Sequence, residues 1–387
     1  MRIAFFTEAY DPFVNGVVVL VKHFRQELLD RGHQVVVFAP EYPGYRDADP
    51  DVVRLPSIRW SSMGYPCTRF FSGVCWHFDH SFDLVHSHHP FSTGALAEKV
   101  AWRYNRPLIY TFHTLLTNYT DYVAQYLPFI PPQFRERLLW SVCHRHIARA
   151  GRVTVSTPVM ERFLRRYQVT TPVSLVTPTH QLAQPAPDAR RRLRGQLGVP
   201  DEAALLLYAG RLAHEKCVDF LLRAAAEIDR SRPWRLVLLG EGPLAGELPV
   251  LAERLGIADR VSFPGLVPHE QMADWYAAAD IFTFPSRNET FGLVLLEAMR
   301  AGLPPVVIAA NGPLDIVQQR HSGLLTDFEP QAYARAIDRL LADPALRATL
   351  AAGARRRAAK LTAVPTGDQL LAAYEALLAA HAGKRHG

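Results

Sequence analysis

The chain has 387 residues, 49% of them hydrophobic, a formal net charge of +6 and four cysteines. That length and apolar content exceed one ordinary domain and provide for two cores. No run of about 20 apolar residues appears, which argues against a membrane-spanning helix, and Cys67, Cys75, Cys143 and Cys217 form neither a CxxC pair nor a disulfide framework, so a reducing, cytoplasmic setting is expected.

The chain opens on the strand-like "RIAFFT", and Glu8 and Asp11 interrupt what would be the apolar stretch of a signal peptide. After the Asn15-Gly16 loop, the helical "VVVLVKHFRQELLDRG" and the strand "QVVVFAP" complete a βαβ unit. "FDLVHSHH" with "GALAEKVAWRYN", then "LIYTFHT" and "RVTVST", continue the alternation. His86, His88 and His89 lack zinc-ligand spacing and read as pocket lining or packing. Between Pro131 and Thr170 eight arginines stand against two acids, the mark of a negatively charged partner. No RNP-like aromatic signature, zinc finger or helix-turn-helix accompanies them, so an anionic membrane is favoured over nucleic acid. Within this stretch Pro131 and Pro132 predict a helix start. Phe134, Leu138, Trp140, Val142, Ile147 and Ala148 then interleave with Arg135, Arg137, Arg145 and Arg149. The segment is either a core helix with a basic outer face or an interfacial helix whose Trp and Leu enter the acyl boundary.

The polar "QLAQPAPDARRR", from Gln181, reads as a linker, which sets domains at 1–182 and 183–365, with 366–387 a helix and basic tail returning to the first domain. Beyond it "ALLLYAGRL", "CVDFLLRAAAEIDRS" and "RLVLLG" repeat the βαβ pattern, and "RVSFPG", "IFTFP" and "PPVVI" add strands. Apolar strands alternating with amphipathic helices indicate an α/β fold with parallel sheets covered on both faces. "GEGPLAG", from Gly240, has Ala245 where a dinucleotide fingerprint needs its third glycine and does not lead cleanly into a helix, so it reads as a turn.

Two places carry chemistry. In "SRNETFGLVLLEAM" a strand closed by Pro285 gives way to a helix after Gly292, with Glu289 in the loop and Glu297 inside the helix. Amides around Phe291, Gly292 and Leu293 at that helix start would bind an anion, and Gly292 lets a ligand approach the backbone. Two carboxylates beside a phosphate site would repel it unless each held donor groups of its own, such as sugar and ribose hydroxyls. In "GRLAHEK", Arg211 and Lys216 are cations at a helix start, where the dipole disfavours them. A forked guanidinium and a compact ammonium suit phosphate oxygens.

With "GRLAHEK", "ETFGLVLLEAM" and the early Asn-Gly turn, the chain resembles the retaining glycosyltransferases of family 4, which have the GT-B fold, over nearly its whole length. "HSHHPFSTG", "YTFHTLLTNYTDYV" and "RLAHEKCVDFLL" resemble bacterial diacylglycerol glucosyltransferases and related lipid mannosyltransferases. The resemblance implies two Rossmann-like parallel-sheet domains facing each other across a cleft, the first binding the acceptor and the second the nucleotide sugar. It places Glu289 against the donor sugar's hydroxyls, Glu297 on the ribose, Gly16 near the phosphates and His113 beside the transferred sugar. Arg211 and Lys216 would meet the charge that grows on the departing diphosphate. No covalent nucleophile stands out, which agrees with the same-face mechanism of retaining members. No DxD or clustered carboxylates appear either, so no cofactor and no metal are expected. The expected function is transfer of a hexose, glucose foremost, from UDP-glucose or GDP-mannose to a membrane lipid such as diacylglycerol, at the cytoplasmic face of the cell membrane. The expected partners are a nucleotide-sugar donor, a lipid acceptor and an anionic membrane surface, with no nucleic acid. Alternatives are a GDP-mannose-dependent mannosyltransferase acting on a phosphoinositide or soluble sugar, or a non-catalytic sugar-nucleotide sensor. Three departures keep the donor open: His180 in "TPTH" replaces a glycine common in relatives, Phe291 precedes Gly292 where lipid-glycosylating relatives often have Gln, and "NGPLDIV" near Asn311 is similar to users of GDP-mannose.

Overall fold

The computed structural model describes residues 1–13, 15–58, 67–68, 81–113, 131–179 and 182–383. They divide into two units, Met1–Pro178 with Val364–Gly387, and Thr179–Ala363. The first unit runs β1 (Arg2–Phe6), α1 (Gly16–Leu29), β2 (Gln34–Pro40), β3 (Val52–Leu55), β4 (Ser57–Ile58), β5 (Cys67–Thr68), β6 (Leu84–Ser87), α2 (Ser92–Arg103), β7 (Leu108–Thr111), α3 (Pro132–Arg149), β8 (Arg152–Val155), α4 (Pro158–Arg166) and β9 (Val173–Leu175). Its seven-stranded parallel sheet has the order β3-β2-β1-β6-β7-β8-β9, while β4 and β5 form a separate antiparallel pair. Along β1, Ile3 and Phe5 enter one core and Ala4 and Phe6 the other. Both faces of the strand are covered, which is why it reads as an unbroken apolar run. Asn15 Oδ1 accepts from Val18 N at 2.8 Å and so starts α1 at Gly16.

The second unit runs α5 (Ala189–Gln196), β10 (Ala204–Ala209), α6 (Val218–Ala226), β11 (Trp234–Leu239), α7 (Glu247–Arg254), β12 (Val261–Gly265), α8 (Met272–Ala278), β13 (Ile281–Phe284), α9 (Leu293–Ala301), β14 (Pro305–Ile308), α10 (Pro313–Ile316), β15 (Leu324–Thr326), α11 (Pro330–Ala342) and α12 (Pro344–Leu361). Its six parallel strands have the order β12-β11-β10-β13-β14-β15. In β10, Leu205, Leu207 and Ala209 pack on one side and Leu206 and Tyr208 on the other.

Two sequence expectations are corrected here. The proposed linker is helical over its last four residues: α5 begins at Ala189, and three of its four arginines are anchors. Arg190 Nη2 donates to Asp280 at 2.8 Å, Arg192 pairs with Asp274 at 2.5 Å, and the buried Arg194 donates to the Ala203 carbonyl at 2.5 Å. Carboxylates distant in sequence make that polar run a packed surface. His180 and Gln181 lie outside the described residues. The "GEGPLAG" turn does lead into a helix, because α7 starts at Glu247 directly after it. Its glycines serve close packing: a Cβ on Gly242 would stand 2.4 Å from the Leu212 carbonyl oxygen, and one on Gly240 2.0 Å from that of Gly210.

The last helix, α13 (Thr366–Gly383), belongs to the first unit. Leu370, Ala373, Tyr374 and Leu377 complete the core formed by Phe5, Phe24 and Val37. Tyr374 Oη lies 2.8 Å from His86 Nδ1, His86 Nε2 lies 2.6 Å from Thr111 Oγ1, and Thr111 Oγ1 lies 2.6 Å from Thr154 Oγ1. This buried row ties α13 to three adjacent strands. Tyr374→Phe leaves a buried imidazole nitrogen unpaired and should lower stability by about 1 to 3 kcal/mol. Urea unfolding measures it, and an unchanged midpoint at unchanged slope would refute the assigned role of the row.

Candidate functional site

In the second unit the order of strands reverses between β10 and β13, and the chain leaves these two neighbours toward opposite edges of the sheet. Loops that part in this way open a crevice at the carboxyl ends of the strands, the usual ligand place in such sheets. From β10 the chain passes through Gly210 and Arg211 to a 3-10 turn at His214–Lys216 before α6. From β13 it passes through Ser286 and Glu289 to Gly292 and α9. The two loops meet where Lys216 Nζ lies 2.6 Å from Glu289 Oε2, in a half-buried ion pair. Arg211 Nη1 lies 3.4 Å from Glu215 Oε1 on the same loop.

Each loop is held by its backbone. Leu212 N donates to the Glu241 carbonyl at 2.9 Å, Leu244 N to that of Leu212 at 3.0 Å, and Tyr208 Oη to that of Arg211 at 3.0 Å. Gly312 N donates to the Glu289 carbonyl at 2.9 Å, and Asn311 Nδ2 to that of Arg287 at 2.6 Å. Gly292 has φ of +88°, a left-handed conformation that disfavours any side chain, and as the N-cap residue of α9 it has no side chain of its own to cap the amides behind it. The Phe291 ring is buried in the core beneath, so Phe291 and Leu293 contribute backbone to this helix start. Glu297, five residues into α9 and 4% exposed, is fixed on both oxygens: Tyr276 Oη donates to Oε2 at 2.9 Å, and His269 Nε2 lies 3.1 Å from Oε1. Its bond raises the pKa of His269 above the ordinary imidazole value, while burial, then the Glu297 charge, pushes Tyr276 well up.

In the first unit Gly16 is the first residue of α1, and a Cβ there would meet nothing within 4 Å. The protein's own packing does not require glycine at that position. His113, two residues beyond β7, is buried with its Nε2 3.0 Å from His88 Nδ1. Burial, reinforced by His89 and His86, holds His113 well below the usual imidazole range, and burial, then His86, His113 and His89, does so for His88. Burial alone lowers His86 and His89 to about 3. All four rings are therefore neutral at pH 7. Among the described residues no group of three or more His, Cys, Asp or Glu is placed to hold a metal ion.

Helix α3 is a core helix on one side: Leu139, Cys143, His146 and Ile147 are buried, and Trp140 packs on Phe163 and Tyr167 with ring centroids at 5.9 and 4.5 Å. Of the two alternatives for this segment, that side is the core helix, with Trp140 partly buried in it. The exposed side carries Phe134 at 52%, Leu138 at 49%, Arg137 and Arg145, whereas Arg135 is half-buried and Arg149 pairs with Glu98. No described helix is long and apolar enough to cross a membrane.

Two polar groups at strand ends escaped the sequence reading. Ser286, fully buried after β13, leaves its Oγ without a hydrogen-bond partner among the described residues. Glu8, just past β1, accepts from Ser92 Oγ at 2.9 Å and Thr93 N at 3.2 Å, and burial raises it to about 7. Nothing in the sequence around Glu8 marks it, since its partners come from over 80 residues away.

This arrangement of paired parallel-sheet units agrees with comparisons to known proteins. The model of Glycosyltransferase Family 4 matches residues 14–179, and that of Glycosyl transferases group 1 matches residues 189–357. The chain belongs to these group 1, family 4 glycosyltransferases, and its fold is GT-B. It is similar to the D-inositol 3-phosphate glycosyltransferase of Thermobispora bispora, 32% identical over 95% of this chain and 91% of that protein. It is also similar to the alpha-monoglucosyldiacylglycerol synthase of Streptococcus pneumoniae, 28% identical over 89% and 79%. Among solved structures, sucrose-phosphate synthase from Thermosynechococcus elongatus superposes with a TM-score of 0.80 at 26% identity, covering 98% of this chain and 99% of that one.

The raised Glu8 carboxyl has a consequence for stability. A carboxyl whose folded value lies above its unfolded 4.5 favours the fold below that value and loses the contribution as pH rises through about 7. Glu8→Gln keeps an oxygen for Ser92 and Thr93 but carries no charge. It should therefore stabilise the protein at about pH 8 relative to the parent, by up to about 3 kcal/mol, and lose that advantage near pH 5. Thermal unfolding at the two pH values checks this, and a variant less stable than the parent at pH 8 would contradict it.

Proposed function

We propose that the chain is a retaining, metal-independent hexosyltransferase that moves glucose from a nucleotide sugar, UDP-glucose foremost, to a membrane lipid such as diacylglycerol. The observation that carries the donor half is the Lys216–Glu289 pair at the point where the second sheet reverses, 2.6 Å apart beside the start of α9 at Gly292. As donor enters, Lys216 turns its charge to the diphosphate and Glu289 its oxygens to the sugar's hydroxyls. Arg211 and the α9 amides take the remaining phosphate charge, and Glu297, already oriented by Tyr276, takes the ribose. In the step itself the bond from the anomeric carbon to the diphosphate oxygen breaks and the acceptor oxygen bonds the same face of that carbon. The acceptor's proton passes to the departing diphosphate. A neutral His113 suits a place beside an anomeric carbon that gains positive character, because an imidazolium would repel it.

The lipid half rests on the exposed Phe134, Leu138, Arg137 and Arg145 of α3 and on the relative named as a monoglucosyldiacylglycerol synthase. The relatives named for inositol 3-phosphate favour a second reading, a phosphorylated polyol as acceptor.

Lys216→Ala should lower turnover far more than donor affinity, by a barrier of about 2.7 to 4 kcal/mol, because the charge it meets develops in the transition state. Turnover within threefold of the parent would refute its role. Glu297→Ala should do the reverse and raise the donor KM with little change in kcat, as the ribose is unchanged by the reaction. Excess EDTA should leave initial rates as they were, and a loss restored by Mg²⁺ would reveal a metal requirement. Arg137→Glu/Arg145→Glu should release the protein from phosphatidylglycerol vesicles, each arginine contributing about 1 kcal/mol at an anionic surface. If the parent does not sediment with such vesicles, the polyol reading takes precedence.

A further inference from the structure

Glu297 of α9 meets two partners of opposite kind. Tyr276 of α8, 1% exposed, donates to Oε2 at 2.9 Å from the core. His269 Nε2 lies 3.1 Å from Oε1, and the His269 side chain keeps 42% of its surface in solvent. The inner oxygen is therefore fixed by the core, while the outer one, by which a ligand arriving from solvent would be met, is covered by a surface imidazole. His269 opens the 3-10 turn His269–Gln271 between β12 and α8, which closes through Gln271 N on the Pro268 carbonyl at 3.0 Å. Rotation about the side-chain bonds of His269 uncovers Oε1 without any change in that backbone. A carboxylate held for the fold alone looks different in this unit: Asp280 accepts from Arg190 at 2.8 Å, from the buried Arg194 at 3.1 Å and from Leu205 N at 2.8 Å. Among the described residues Glu297 has two partners, and one of them can leave.

We propose that His269 is a latch on the donor site: it occupies the Glu297 oxygen that receives the ribose hydroxyls, and a nucleotide sugar binds fully only once the ring has swung away. This assignment rests on the ribose role given to Glu297 in the transferase reading, and names the residue that sets how readily that role is filled. His269 acts through Glu297 and is a positioning residue. Its bond to Oε1 competes with the ribose, so the apparent affinity for donor is lowered by the fraction of molecules in which the latch is closed.

A charged imidazole holds a carboxylate more strongly than a neutral one, so the latch is tightest when His269 carries its proton. The bond from Glu297 raises the pKa of His269 above the ordinary imidazole value against the effect of burial, and the charges of Glu297 and Glu270 add to the rise. As pH climbs through that raised value the proton leaves, the latch loosens and donor affinity increases. The other charged or titratable groups on the elements around this turn are few. On α8, Asp274 pairs with Arg192 at 2.5 Å and Tyr276 is pushed well up by burial, and α9 carries Arg300 in its last turn. Of these groups only the imidazole ordinarily titrates near neutrality.

The test measures binding to the full chain of UDP-glucose and GDP-mannose, whose diphosphates are esterified at both ends and do not titrate near neutrality, and of their dideoxyribose analogues, which lack both ribose hydroxyls. His269→Ala should bind the ribose donors about fivefold more tightly than the parent at about pH 6, with the gap narrowing toward about pH 9. His269→Gln, which keeps an N–H donor without the charge, should bind them with one affinity across that range. Neither variant should alter affinity for the dideoxyribose analogues, because these do not need Oε1. A ring that merely steadied Glu297 would give the opposite sign, weaker binding on its removal. If His269→Ala binds no more tightly than the parent at about pH 6 while ribose is still preferred to dideoxyribose, the latch is overturned and Glu297 keeps its ribose. If parent and His269→Ala alike bind the ribose and dideoxyribose donors equally, the ribose role of Glu297 is overturned. A parent that binds neither donor overturns the transferase reading, and the latch falls with either.

Discussion

The second unit depends on the pairing of β10 with β13, in which Leu206 stands opposite Ile281 and Leu207 opposite Phe282. That register brings the carboxyl ends of two strands side by side although they lie more than 70 residues apart in the chain. One of them must then feed α6 and the other α9, on the two arms of the sheet, and the loops that diverge there carry Lys216 and Glu289. A slip by one residue would turn Leu207 and Phe282 out of their core and separate the loops, so the hydrophobic pattern that fixes the core also fixes the ion pair. The first unit repeats the constraint with β1 beside β6, and the groups delivered are Glu8, His88 and His89.

Electrostatics differ between the units. In the second, charged groups are met by charge or donors: Lys216 by Glu289, and Glu297 by Tyr276 and His269. In the first, burial makes neutral what would otherwise titrate: four imidazoles hold no proton charge at pH 7, and Glu8 is raised to about 7. The contrast fits the division proposed between a unit that binds a charged diphosphate and one that binds neutral hydroxyls.

The last helix shows how completely the first unit depends on residues remote in sequence. Tyr374 meets His86 across 288 positions, and Arg31 meets Asp368 across 337, at 2.8 Å. Without α13 one face of β1, β6 and β7 would lose its cover of Leu370, Tyr374 and Leu377. The helix is as much a part of that core as α1.

The sequence by itself determined the strands and the family. β1, β2, β6, β7, β10, β11, β13 and β14 are buried on both faces, so each appears as a short apolar run whatever lies around it. The short loop motifs around Lys216 and Glu289 follow those runs directly, and each is legible as a cation or carboxylate at the end of a strand. Tertiary structure alone decided what meets what. The linker-like "ARRR" is a helix because Asp274 and Asp280 lie opposite it, Trp140 packs against Phe163 and Tyr167, and Glu8 is raised by burial at the start of α2. Periodicity and composition are properties of neighbours along the chain. Burial, pairing and proton affinity arise from neighbours in space, and parallel strands, which need a crossover between each pair, put those neighbours far apart in sequence.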